Sequence, residues 1–219
     1  MRRLTSRPEL PQTTTRKLRA ETRMIKQSGD PSSEAKARYE RARRSGWFQS
    51  VIQKLGKWAG PGQRCMWCSG SESAQVEHYR PKSIYPKLAL TWENLLWACG
   101  ICNGEKGATF PKQRHALLIN PTEEDVWGFF FIDQFGHLTP RWRNDLDDFD
   151  PRAVSTREIL RLDRQALQES RQLRRLDLIK QVQDTLARHK SKDLDVAELR
   201  RRKAEWLRQP FQPDVADYF

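Results

Sequence analysis

No stretch of the 219-residue chain approaches 18 uninterrupted apolar residues, which excludes a transmembrane helix of the ordinary kind. No apolar run follows Met1-Arg2-Arg3-Leu4-Thr5, so no secretory signal and a cytoplasmic setting are expected. Internal repeats and low-complexity tracts are missing, which removes solenoids and biased linkers from consideration. Apolar residues are scarce at 37%, yet eight Trp argue for a buried core rather than a disordered chain. Cysteine is confined to four residues in two Cys-x-x-Cys pairs. Without an export signal, that spacing speaks for a metal rather than for disulfides.

What the chain has in excess is positive charge, a net +12, which points to a polyanionic partner. Residues 1–64 hold 16 Lys/Arg against 5 Asp/Glu, and residues 65–139 hold 6 against 8. The excess is therefore N-terminal, and the slightly acidic middle suits a segment that binds cations. Texture divides the chain the same way, into a basic helical arm over 1–62, a Gly-, Pro- and aromatic-rich core over 63–140, and a helical region over 141–219.

In the arm, Thr13 to Gln27 is compatible with a helix and Gly29-Asp30-Pro31 breaks it. A helical run is expected from Glu34 to Trp58, with Phe48, Val51, Ile52, Leu55 and Trp58 as its buried stripe. In the core, Gln75 to Arg80 reads as a short strand, and Asn94 to Lys106 holds at most a short helix ending near Gly107. Thr122 has the form of a capping box, and Phe129 to Thr139 reads as a hairpin turning at Gly136. A long helix should start after Asp163, with Leu167, Leu173, Leu176, Ile179, Val182 and Leu186 on one side. A last helix is expected over Val196 to Arg208.

Two strings carry the chemistry. The first is Cys65-Met66-Trp67-Cys68 with Glu77-His78-Tyr79-Arg80-Pro81-Lys82. The second is Asn94-Leu95-Leu96-Trp97-Ala98-Cys99-Gly100-Ile101-Cys102-Asn103 with Lys106-Gly107. Two knuckles can supply four thiolates, the donor set of structural zinc, and a zinc so caged has no open position for hydrolysis. Reading one pair as a redox dithiol leaves the other idle. Thirty residues lie between Cys68 and Cys99, so something is hung between the knuckles. That insert holds Glu77-His78, and Asn103 follows the last cysteine.

The combined pattern resembles the HNH, or ββα-metal, nucleases with a four-cysteine zinc site. Beyond it, Phe110-Pro111 and Leu117-Leu118-Ile119-Asn120-Pro121-Thr122-Glu123-Glu124-Asp125 resemble HNH proteins of bacterial anti-phage systems, of the Septu and retron-associated kinds. The resemblance implies an α+β, mostly helical fold in which a small ββα unit with zinc knuckles is flanked by N- and C-terminal helices. It implies DNA phosphodiester hydrolysis, with RNA not excluded, and an ATPase partner. His78 would be the general base, Glu77 and Asn103 would hold Mg²⁺ or Mn²⁺, and Asn94 would brace the His78 loop. Arg80, Lys82 and Lys106 would contact phosphate. Glu77 departs from the Asp of many relatives, and the third letter of the motif is Asn103 rather than His. A non-catalytic zinc-dependent DNA-binding module would explain the zinc and the charge, but not the grouping of Glu77, His78 and Asn103.

Overall fold

The computed structural model describes Leu4, residues 6–70 and residues 74–206. Residues 1–3, 5, 71–73 and 207–219 lie outside that set, and with them the expected helix end at Arg208. The chain forms two compact units, residues 1–126 with 151–161, and residues 127–150 with 162–219. These cut the chain differently from the composition boundaries at 62/63 and 140/141, because the arm packs into the same unit as the core. Among the described residues no helix is long and apolar enough to cross a membrane.

The first unit opens with helices α1 (Gln12–Gln27), α2 (Pro31–Arg43) and α3 (Gly46–Trp58). Asp30 caps α2, its carboxylate accepting from the backbone N–H of Ser32 and Ser33, with Pro31 in the first turn where its missing N–H costs nothing. The single run expected from Glu34 to Trp58 is two helices. Ser45 takes extended backbone before Gly46, a break between well-patterned halves that periodicity alone does not register. Of the expected stripe, Phe48, Val51, Leu55 and Trp58 are buried, and Ile52 is only half-buried. Arg38 binds α2 to α1 through Glu21 at 2.6 Å.

Strand β1 (Ala74–His78) pairs antiparallel with β2 (Leu95–Cys99), and helix α4 (Gly100–Lys106) follows at once. This is the ββα unit. β2 is buried at every position. Its continuous apolar run has no period of its own, which is why the segment from Asn94 reads as helix alone. α3 packs on both strands. Helix α5 (Pro151–Ile159) closes the unit, its Arg152 gripping the Glu124 carboxylate with both terminal nitrogens at 2.6 and 2.7 Å. The turn expected to be capped by Thr122 is organised by Asn120, whose carbonyl accepts from the N–H of Glu123 and Glu124.

Arg7 clamps the arm to the core. Its guanidinium donates to the carbonyls of Trp92 (2.9 Å), Leu95 (3.0 Å) and Glu93 (3.1 Å), and to Thr122 Oγ1 (2.6 Å). It lies over the rings of both Trp58 and Trp92, 4.9 and 5.1 Å from their centroids. A planar fork can serve four acceptors and two rings at once; an ammonium cannot. Arg7→Ala should therefore cost about 3 kcal/mol through acceptors left without donors, a fall of roughly 10 °C in melting temperature, with no rescue by Arg7→Lys. Thermal unfolding of the three proteins checks this, and a lysine variant as stable as wild type would refute it.

In the second unit, β3 (Phe130–Ile132) and β4 (Leu138–Pro140) form the expected hairpin. Gly136 sits in its turn at φ 85°, where an added Cβ would come 2.2 Å from the Gln168 carbonyl oxygen. A two-residue hairpin, β5 (Trp142–Arg143) with β6 (Asp148–Phe149), precedes α6 (Gln165–Lys190) and α7 (Val196–Trp206). The buried face of α6 is Leu167, Arg171, Leu178, Val182 and Thr185. Leu173 and Leu176, expected on that face, are exposed at 68% and 52%; the interior stripe runs through Arg171 and Thr185 instead.

Candidate metal centre and active site

The two knuckles meet. Cys65-x-x-Cys68 is a tight turn closed by the Ser69 N–H on the Cys65 carbonyl, with Ser69 at φ 62°. Cys99 ends β2 and caps α4, its Sγ accepting from the Cys102 N–H at 3.4 Å. The Met66 N–H donates to the Trp97 carbonyl and so lays the first knuckle on β2. All four cysteines are buried with their sulfurs within 4.8 Å of one another. Cys68 Sγ and Cys99 Sγ are 3.7 Å apart, close to the roughly 3.8 Å edge of a tetrahedron with 2.3 Å zinc–sulfur bonds and far from a disulfide. Backbone N–H groups of Cys68 and Gly70 point at sulfur as well, which suits thiolates. The Cys99 thiol is pulled below its ordinary value, chiefly by the hydrogen bond with the Cys102 thiol. The cluster can hold a metal ion.

Of the three tryptophans that flank these ligands in sequence, Trp67 is wholly buried. Trp97 and Trp92 tie their indole N–H groups to the carbonyls of Gln63 and Pro8.

His78 ends β1, only 3% exposed. Its Nε2 is 2.8 Å from the Ala89 carbonyl, and its ring meets Tyr39 of α2 edge-on at 4.8 Å. A carbonyl only accepts, so Nε2 carries the proton and Nδ1 is the basic nitrogen. Burial first, then the positive charge of Lys82 and Lys106, lowers the pKa to about 4, so the ring is neutral near pH 7. Asn94 holds the loop that presents Ala89. Its Oδ1 accepts from the Arg80 N–H, and its Nδ2 donates to the carbonyls of Arg80 and Leu88.

Glu77 is buried, with its Oε1 2.7 Å from Lys106 Nζ. Desolvation raises its pKa and Lys106 opposes the rise. Asn103 stands one turn before Lys106 and shares its side of α4, and among the described residues its amide has no hydrogen-bond partner. A buried carboxylate and an uncommitted amide are oxygen donors suited to a hard divalent cation.

Of the residues read as phosphate contacts, one is out of reach of solvent and two are part-exposed. Lys106 has no exposed surface, because its ammonium is committed to Glu77 and lies 5.9 Å over the Trp67 ring. The Arg80 guanidinium stacks over Tyr85 and Phe110, and Lys82 sits over Tyr39, both part-buried. Two members of the site carry no signal in the sequence. Tyr39 lies in an Ala/Arg-rich helix some forty residues upstream, and the Ala89 carbonyl belongs to the backbone.

Residues 63–109 match the HNH endonuclease family. A Septu protein PtuB from Bacillus thuringiensis is 37% identical over 81 residues, which is 35% of this chain and 30% of that protein. The chain thus matches less than a third of that relative's length.

Proposed function

We propose that this chain, which carries an HNH endonuclease domain at residues 63–109, is a metal-dependent nuclease that hydrolyses DNA phosphodiesters. The observation that carries the reading is the 2.8 Å contact of His78 Nε2 with the Ala89 carbonyl, which calls for a proton on Nε2 and leaves the lone pair on Nδ1. A base needs that state to take a proton from attacking water. Cys65, Cys68, Cys99 and Cys102 would hold a structural Zn²⁺. Glu77 and Asn103 would hold Mg²⁺ or Mn²⁺, which when bound neutralises charge developing on the scissile phosphate. Lys106 supplies the counter-charge at Glu77, a role that a divalent ion held by Glu77 and Asn103 would share. Asn94 keeps Ala89 in position and thereby orients the base.

Glu77, His78 and Lys106 are almost inaccessible, which favours a nuclease closed until its target or a protein partner engages it. Resemblance to Septu proteins supports a role in anti-phage defence beside an ATPase. The test titrates Mg²⁺ and Mn²⁺ against zinc-loaded protein and supercoiled plasmid, with and without neighbouring gene products. Saturable, divalent-dependent nicking or linearisation is expected. DNA binding without cleavage under every condition would favour a non-catalytic adaptor.

A further inference from the structure

α1 turns a stripe of cations outward. Arg16, Arg19, Arg23 and Lys26 recur at intervals of three and four, so they share one face, and all four are exposed. Among the described residues none of them is paired with a carboxylate. The one acid of α1, Glu21, is taken by Arg38. The adjoining face is anchored through Leu18 and Ile25, and Thr22 donates to the Leu90 carbonyl at 3.1 Å. The stripe is therefore held at a fixed place on the first unit.

Beside it runs a groove of about 570 Å³ whose far wall is Leu90 to Glu93. A second hollow of about 520 Å³ shares Arg19 and Trp92 with it and extends to Arg16 and Gln12. The far wall begins at the residue after Ala89, the carbonyl that holds His78. Two acids, Glu9 and Glu93, also line the hollows, leaving the four cations in the majority.

We propose that this groove seats the sugar–phosphate backbone of duplex DNA and guides it toward the His78 loop; the proposal rests on reading the chain as one that acts on nucleic acid. From Arg16 to Lys26 the helix rises about 15 Å. A DNA strand presents a phosphate every ~3.4 Å of axis, so the stripe passes about four of them, one for each cation. An acidic protein surface would meet the same charge, but it would not leave the counterion-release signature of a polyphosphate.

The test replaces Arg16, Arg19, Arg23 and Lys26 with glutamine in the full chain. Glutamine is a fair helix former at exposed positions, so the melting temperature should hold. Binding to a fluorescent 20-bp duplex is followed by anisotropy across a salt series, with zinc retained and no Mg²⁺ or Mn²⁺, so that nothing is cut. A control neutralises Arg174, Lys180, Arg188 and Lys190, four exposed cations of α6, and changes net charge equally. Each lost phosphate contact lowers the log–log slope by about 0.9. The α1 variant should lose roughly 2 to 4 from the slope and bind at least about tenfold more weakly at 0.1 M salt, while the control stays within about 1 of wild type. An unchanged α1 slope, an equal loss in the control, or a wild type that does not bind duplex at about 50 mM salt would each overturn the proposal. A wild type that cleaves while the α1 variant binds normally removes the groove and leaves the nuclease standing. The expected slope change with no cleavage under any metal condition does the reverse.

Discussion

Replacing His78 with alanine is expected to cut the cleavage rate by about 10²- to 10⁴-fold while leaving zinc content and duplex affinity as they are. The sulfur cage is complete without the imidazole, and no base-independent route replaces a positioned proton acceptor. The ring is packed against Tyr39, so alanine also opens a cavity, and melting has to be measured beside activity. His78→Gln is the sharper variant, since its amide can still donate to Ala89 but offers no basic nitrogen, and it should be equally inactive. Asn103→Ala should fail in another way. It removes one oxygen donor, so activity should shift to higher Mn²⁺ rather than vanish, whereas no divalent concentration should restore either His78 variant. Chelation alone is a poor comparison because it strips the cysteine site as well. Zinc should stay bound while Mg²⁺ or Mn²⁺ is titrated. A His78→Gln protein that cleaves like wild type would remove the base from the scheme.

Cys99→Ser should release the structural metal and lower the melting temperature by tens of degrees. Structural zinc in small thiolate sites is worth about 10 kcal/mol or more, and one lost ligand forfeits much of it. Serine is chosen because Cys99 has two duties. It caps α4 by accepting from the Cys102 N–H, and a serine oxygen is as good a cap, so only metal ligation is withdrawn. Metal analysis and thermal unfolding on the same sample decide the matter. A variant without metal that melts with the wild type would show that the four thiols pack as ordinary buried cysteines.

The four-cysteine cluster was legible because the spacing within each Cys-x-x-Cys turn is local. Two such turns offer four thiols, and the structure brings their sulfurs within 4.8 Å of one another, where one metal ion could be held. Glu77, His78 and Asn94 stand out in the sequence by motif order, and the hydrogen bonds of Asn94 to Arg80 and Leu88 hold the loop beside His78. Elsewhere a sequence signal was ambiguous or absent. Leu95 to Cys99 is an apolar run that a buried strand and a buried helix share. Lys106 reads as a surface cation until its carboxylate partner, 29 residues away, is in place. Tyr39 lies in a weakly patterned helix, and only the three-dimensional arrangement sets it against His78. On α6, tertiary packing chose a stripe through Arg171 and Thr185 over the more apolar one.

The Arg7 clamp has a consequence for how the basic arm can be studied. One guanidinium joins the approach to α1, the end of α3, the loop before β2 and the turn at Thr122. The cooperative folding unit that holds the ββα elements therefore begins upstream of the first helix, not at the cysteine knuckles. Removing residues 1–30, the obvious way to ask what the arm contributes to DNA affinity, would also take away Arg7 and the Thr22 contact to Leu90. Such a truncation reports a foldon coming apart, and only side-chain substitutions on the outward face of α1 can separate electrostatic steering from the integrity of the domain.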